Sequence, residues 1–162
     1  MMHVHLIYVG EFSANYFAGA QSEYEKRLSG FAKVVSHPIK ESPLPEKPAG
    51  GAIALALEKE ATQILDVLGK LSACYKMSLC IEGRELSSLG LAQLMEDLPH
   101  QGYSSVAFAI GSSYGLSDRV VSACDRQLSF SKMTFPHQLM RVILTEQIYR
   151  AFSINAGRAY HK

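Results

Sequence analysis

The end of the chain concentrates side chains that could do chemistry. Arg158, Tyr160, His161 and Lys162 lie within one short stretch. Arginine and lysine bind phosphate, a tyrosine ring stacks on a base, and a histidine with a pKa of ~6.5 handles a proton at neutral pH. The alternative for this stretch is an unstructured terminus, which is the usual state of final residues.

Two further arginines lie on the predicted C-terminal helix. Nine positions separate Arg141 from Arg150, which places them about 180° apart around a helix axis. They cannot both serve one site on a single chain. If a partner subunit packs along this helix, each could contribute to a different site.

Three predicted loops follow strands, where open α/β sheets bind their ligands. They are Cys80 to Leu86, Gly111 to Leu116 and Ser131 to Pro136. Gly111 and Gly115 allow a tight turn and close approach of an adenosine or phosphate group. Alone, this spacing is more typical of an ordinary turn, since it is neither a dinucleotide fingerprint nor a phosphate-binding loop motif.

A zinc-protease motif is not found. The chain has no HExxH sequence, which disfavours a zinc protease. His3 and His5 alternate on a predicted strand, but no Cys or acid follows at ligand spacing, so a solvated or edge-facing pair is expected. Cys80 has no histidine nearby in the sequence and is expected to be a small buried apolar residue.

Length and charge set further limits. The chain has 162 residues, 48% of them hydrophobic and 19% charged, which predicts one globular domain. No stretch is long enough to cross a bilayer, no signal peptide is recognised, and the three cysteines favour a cytoplasmic, reducing location. The net charge is only +1, but the segment from Arg126 to Lys162 is rich in basic residues and carries Glu146 as its single acid. Such a segment indicates either a phosphate-rich partner or a solvated face.

The hydrophobic pattern alternates between strands and helices, which predicts an α/β fold with a mostly parallel sheet and flanking helices. The predicted strands cover residues 4–9, 34–39, 77–81, 105–110 and 127–131, and the predicted helices cover residues 13–28, 53–69, 87–97, 117–124 and 136–152. Glu41 to Gly51 is rich in proline and predicts a loop. Helix 136–152 has apolar residues on more than one face, so it is expected to be buried on two sides, the second by another subunit.

A long block at the C-terminus carries a family resemblance. The segment LSFSKMTFPHQLMRVILTEQIYRAF, residues 128–152, strongly resembles the C-terminal signature of the RlmH family of ribosomal RNA methyltransferases, which belong to the SPOUT superfamily. The ending Tyr160-His161-Lys162, the turn from Gly111 to Gly115 and the total length fit the same family. The resemblance covers essentially the whole chain.

The resemblance implies a SPOUT-type trefoil-knotted α/β fold in a single domain over residues 1–162, with the knot in about residues 77–162. It also implies a homodimer, S-adenosylmethionine (SAM) as the methyl donor, and the 23S rRNA of the assembled ribosome as partner. It further implies that no membrane and no metal take part. The implied reaction is methylation of N3 of pseudouridine-1915. The alternatives are another RNA substrate, such as tRNA, and a non-catalytic ribosome-binding protein.

Site residues follow from the positions that match the family motifs. The implied SAM contacts are Leu79 after its strand, Gly111, Phe130, Ser131, Lys132, Met133, Thr134 and Phe135. The implied catalytic group is His161 as base or proton relay, Tyr160 packing on the base, and Arg141 and Arg150. RNA contacts are assigned to Arg158, Lys162 and His137. One departure is Ser112, where relatives commonly carry glycine, and a positive φ there would strain a serine.

Overall fold

A parallel β-sheet with helices on both faces forms the centre of the protein. The computed structural model describes residues 1–162. The strands are β1 (Met2–Val9), β2 (Ala32–Ile39), β3 (Cys74–Glu85), β4 (Ser105–Ile110) and β5 (Arg126–Ser129), in the spatial order β2-β1-β4-β3-β5. All neighbouring pairs are parallel. The predicted α/β class is confirmed, with a sheet that is wholly rather than mostly parallel.

Five α-helices and one 3-10 turn, Pro99–Gln101, connect the strands. The helices are α1 (Asn15–Leu28), α2 (Gly50–Lys70), α3 (Ser88–Asp97), α4 (Asp118–Ser122) and α5 (His137–Asn155). Helices α1, α3 and α5 pack on one face of the sheet, around Phe108, Leu144 and Ile148. Helices α2 and α4 cover the other face through Ile64 and Val120. None of these helices combines the length and apolarity needed to cross a membrane.

The sheet interior accounts for the most uniform apolar segments of the sequence. Every residue of β4 is buried, because β1 and β3 flank it and helices cover both of its faces. A strand buried on both faces has no need of alternating polar residues. Pro38 lies in β2 at the sheet edge, as predicted, since proline cannot donate a hydrogen bond to a further strand.

Strand β3 corrects the predicted loop from Cys80 to Leu86. It continues to Glu85 and pairs with β5 at Met77–Leu79 and again at Arg84 and Glu85, with a register shift between Leu79 and Arg84. At Gly83 an added Cβ would lie 2.8 Å from the carbonyl carbon of Gln127, so the close approach of the two strands requires glycine. Other boundaries differ less: β5 ends at Ser129 rather than Ser131, and α5 extends to Asn155.

The chain leaves the centre of the sheet in opposite directions from two adjacent strands. After β1 it enters α1 on one face, and after β4 it enters α4 on the other face. Such a reversal opens a crevice beyond the carboxyl ends of the two strands, which is where α/β proteins bind ligands. The candidate site is therefore expected at Gly10 and Gly111, the residues that follow β1 and β4.

Candidate functional site

A small crevice lies between the carboxyl ends of β1 and β4, on the α5 side of the sheet. It is lined by Tyr8, Val9, Gly10, Glu11, Ile110, Gly111, His137, Gln138 and Arg141. On the other side, a cavity of about 410 Å³ lies between the proline-rich loop after β2, the first turns of α2 and the turn after β4. Both spaces share the turn that begins at Gly111.

The Gly111 turn is closed by its own backbone. A Cβ on Gly111 would lie 2.2 Å from the carbonyl oxygen of Gly115, so no other residue fits without moving that backbone. The Gly115 amide donates to the Ser112 carbonyl at 2.9 Å, and Gly115 has a φ of +86°. Ser112 does not have a positive φ, because Ala73 is the sole non-glycine residue that does. Serine at this position is therefore unstrained.

Arg141 is held between two aromatic rings. Its side chain projects from the second turn of α5, and the residue is 9% exposed. The guanidinium carbon lies 3.4 Å from the centroid of the Tyr8 ring and 3.9 Å from that of Phe12. Burial lowers the pKa of Arg141, and no carboxylate forms a salt bridge with it. A cation stacked in this way leaves donor groups free for a ligand anion.

The segment from Phe130 to Phe135 has features of a surface that binds a planar group. No backbone group in it bonds to another backbone group, while the Met133 amide donates to the hydroxyl of Ser131 at 3.0 Å. Met133 is 73% exposed and Phe135 is also exposed. Free amide and carbonyl groups beside apolar side chains suit the edges and faces of a purine. Lys132 and Thr134 are likewise exposed in this segment.

Leu79 occupies a different position from the one predicted. It lies within β3 rather than after it, and pairs with Leu128 of β5 just before the register shift. Residues 80–83 beyond it have no partner in β5, since Leu79 and Arg84 both pair with Leu128. Leu79 thus remains beside the start of the 130–135 segment, because β5 leads directly into that segment.

The C-terminal residues fold back onto their own α5. The Tyr160 hydroxyl donates to Oε1 of Glu146 at 2.9 Å, and the Tyr160 ring packs edge-on against Tyr149. Burial, reinforced by the bond to Glu146, raises the pKa of Tyr160 to about 12. The guanidinium of Arg150 lies over the same ring at 4.7 Å. The terminus is therefore docked rather than unstructured.

His161 and Arg150 meet at this docked end. Nη1 of Arg150 lies 3.3 Å from Nδ1 of His161. A guanidinium can only donate, so Nδ1 of His161 is the acceptor of this contact. In this arrangement Nδ1 is engaged by Arg150. Glu146 bonds Arg150 as well, and this bond raises the pKa of Arg150.

The remaining predicted RNA contacts lie on different surfaces. Arg158 is exposed and its guanidinium stacks on Phe31 at 4.4 Å. Lys162 is exposed at the end of the chain, and His137 lines the crevice at the start of α5. Arg141 and Arg150 share no contact, and about 14 Å of helix axis separates them. A single chain thus divides the predicted catalytic residues between the crevice and the docked terminus.

Two acidic residues of these sites were not predicted from the sequence. Glu146 is the acceptor that holds both Tyr160 and Arg150, and its position as the single acid of a basic segment was the available signal. Glu60 is buried in the wall of the larger cavity. Nothing in its helical context distinguished it from a surface glutamate.

Comparison with known proteins decides the family. A family model described as "Predicted SPOUT methyltransferase" matches residues 2–161. The chain belongs to the SPOUT methyltransferases. Among its relatives is the Ribosomal RNA large subunit methyltransferase H of Oenococcus oeni, 38% identical over the whole of both chains. The protein of the same name from Clostridioides difficile is 42% identical over 99% of this chain and all of its own.

A solved structure has the same fold as this SPOUT methyltransferase. The crystal structure of a probable methyltransferase from Bordetella pertussis Tohama I matches with a TM-score of 0.58 and 17% identity, covering 93% of this chain and 95% of that one. The predicted family membership is confirmed by the sequence matches. In this SPOUT methyltransferase, no group of three or more His, Cys, Asp or Glu side chains is placed to hold a metal ion.

Proposed function

We propose that this protein transfers a methyl group from SAM to N3 of a pseudouridine in large-subunit rRNA, pseudouridine-1915 of 23S rRNA. The observation that carries the proposal is the full-length match, at 38–42% identity, to relatives named as large-subunit rRNA methyltransferases. The proposal includes a cytoplasmic protein with one knotted SPOUT domain, the knot lying in about residues 77–162. It also includes a homodimer that acts on the assembled ribosome.

The residues around the Gly111 turn fit SAM. The backbone of residues 130–135 supplies free donors and acceptors for the adenine, and Met133 and Phe135 supply apolar contacts. Leu79 would line the base of this site, and the Gly111 turn would border it. When bound, SAM supplies an electrophilic methyl group on a positively charged sulfur, which needs no metal.

The protein must orient the acceptor and remove one proton. Bound SAM would supply the methyl group that N3 of the base gains, and a base on the protein would take the N3 proton. Positioning of the reacting atoms accounts for most of such a rate increase. Arg141 beside the crevice would hold an anionic group of RNA or cofactor, and His161 would take the proton.

His161 cannot reach that position in the docked arrangement. Its Nδ1 accepts from Arg150, and about 14 Å of helix separates Arg150 from Arg141 at the crevice. We therefore propose that the terminus leaves Glu146 and covers the crevice of a partner subunit. Several apolar residues on α5 are only partly buried and would form the contact between subunits: Leu139, Met140, Ile143, Tyr149 and Phe152.

A methylation assay with labelled SAM tests the proposal. The substrates are 70S ribosomes, separate subunits, naked 23S rRNA and tRNA, and the modified nucleotide is located by mass spectrometry. We expect label in one pseudouridine of 23S rRNA, strongest with 70S ribosomes. Label in tRNA would show that the substrate is tRNA rather than 23S rRNA. Ribosome binding without any label or SAM affinity would indicate a non-catalytic protein.

A further inference from the structure

The larger cavity beside the Gly111 turn is acidic. Its acids are Glu41, Glu46 and Glu60, its other polar residues are Ser42, Ser112, Ser113 and Tyr114, and no lysine or arginine lines it. A phosphate or carboxylate is therefore disfavoured here, whereas a group that donates hydrogen bonds is favoured. Gly111 lines the crevice and the next residues of the same turn, Ser112 and Ser113, line the cavity. A molecule bound in the cavity would therefore lie next to a methyl donor at the Gly111 turn.

Glu60 is the buried acid of this wall. The residue is 3% exposed, and its Oε2 has no hydrogen-bond partner in the protein. Burial raises the pKa of its carboxyl, the negative charge of Glu41 adds to this, and the Ser42 backbone opposes it. A buried carboxylate oxygen without a donor is costly, and a ligand N–H that bonds to it would remove that cost.

The chemistry of the proposed substrate supplies such a donor. Pseudouridine carries N–H groups at both N1 and N3, while uridine has a C–H where pseudouridine has N1–H. Once N3 is methylated, N1–H is the one ring donor that remains. An acceptor placed at N1 therefore distinguishes the two bases, because a site built around a hydrogen bond rejects an analogue that lacks the donor.

We propose that Glu60 accepts the N1–H of the target base and so selects pseudouridine over uridine. This inference rests on the proposed function. The apolar neighbours Ala56 and Leu57 complete the wall beside Glu60 and suit the face of a flat ring. The loop containing Glu41 and Ser42 closes the opposite side, where it would limit the space to a base.

The test compares kcat/KM on 70S ribosomes that carry either pseudouridine or uridine at the target position. The wild-type protein should prefer pseudouridine by about tenfold or more, which is the usual effect of a hydrogen bond to a charged group. Glu60→Met should bring the two values together, by slowing reaction with pseudouridine and leaving uridine nearly unchanged. Glu60→Gln keeps a weaker acceptor, so its preference for pseudouridine over uridine should lie between those of the wild type and Glu60→Met.

Glu46→Gln is the matched control, because it removes a charge from the same cavity at an exposed position. It should keep the wild-type ratio. SAM affinity, measured by calorimetry, should be unchanged in all three variants.

A ratio near one in the wild type, or an unchanged ratio in Glu60→Met, would overturn the inference while leaving methylation established. Loss of folding or SAM binding in both Glu60 variants would assign Glu60 a structural role instead. Absence of label from every wild-type reaction would instead defeat the proposed function itself.

Discussion

The guanidinium of Arg141 stacks on the ring of Tyr8, 3.4 Å from its centroid, at the point where β1 ends and the crevice begins. Helix α5 and the first strand are thereby joined at the candidate site. The charge has no acidic partner, so the fold retains it at a cost in desolvation. A buried charge kept without a partner is typical of functional sites.

Replacing this arginine separates its function from its contribution to stability. Arg141→Met should reduce methylation tenfold or more, since it removes the cation from the crevice. The free energy of unfolding should change by less than about 1 kcal/mol or increase, because an apolar side chain of similar volume replaces a desolvated charge. Urea denaturation and the ribosome assay measure the two quantities. A large loss of stability together with normal turnover would show that Arg141 is purely structural.

Gly111 should tolerate no side chain. Gly111→Ala places a Cβ 2.2 Å from the Gly115 oxygen, so the turn must shift. We expect about 1–3 kcal/mol of destabilisation and at least a tenfold loss of SAM affinity by calorimetry. Gly19→Ala is the matched control, since Gly19 lies in α1 with no atom within 4 Å of an added Cβ. That change should raise stability slightly. Normal SAM binding by Gly111→Ala would exclude the turn from the cofactor site.

A mixing experiment tests whether the terminus acts on a partner. Gly111→Arg blocks the proposed cofactor site but keeps the terminus, while deletion of Tyr160 to Lys162 does the reverse. Each should be inactive alone. After mixing and subunit exchange, about a quarter of wild-type activity should return, since half of the dimers then contain one complete site. Activity that stays absent, in mixtures shown to contain heterodimers, would place the terminus over its own crevice.

The pair His5–His37 should make stability depend on pH. Nδ1 of His5 lies 2.9 Å from Nε2 of His37, so one ring donates to the other and the pair cannot hold both extra protons. Burial lowers the pKa of both residues, and for His5 the charges of His37 and His3 add to it. Below pH ~6.5 the unfolded chain therefore binds more protons at these two residues than the folded protein does. The contribution of the pair to the free energy of unfolding is fully present above pH ~6.5 and is lost as the pH falls below that value.

Denaturant titrations between pH 8 and pH 5 measure this effect. His37→Gln should flatten the decrease, because glutamine can hydrogen-bond to His5 without gaining a charge. His100→Gln serves as control, since His100 is exposed in the 3-10 turn far along the chain from this pair. An equal decrease in the wild type and in His37→Gln would assign the pH dependence to other groups.

The hydrophobic pattern of the sequence correctly predicted the strands and helices whose residues are buried along their whole length or along one face. Strand β4 was predicted with its observed bounds. The predicted start of α3 is also close to the observed one, where Ser87 caps the helix by accepting from the Gly90 amide at 3.0 Å. The end of β3 was missed because its charged residues and Gly83 are typical of a loop. Its strand conformation depends on pairing with β5, which no local pattern reveals.

The candidate site was predictable in its residues more than in its arrangement. His3 and His5 were expected to be a solvated or edge-facing pair, yet His5 is buried and lies against His37 of the edge strand β2. Glu60 is buried only because the loop from Glu41 to Glu46 returns over α2, which is a tertiary contact. The hydrogen bond from Tyr160 to Glu146 is also a tertiary contact, because it forms only when the chain turns back onto α5 after the helix ends.

The position of β4 has a consequence for how this chain is made. His3 of β1 pairs with Ser105 of β4, so the centre of the sheet joins segments that are far apart in the chain. During synthesis, β1 and β3 leave the ribosome before β4. The edges of β1 and β3 that pair with β4 therefore stay unpaired until β4 inserts between them. Such long-range closure slows folding. The nascent protein therefore passes through an aggregation-sensitive interval, and conditions that prolong translation before β4 should lower its yield.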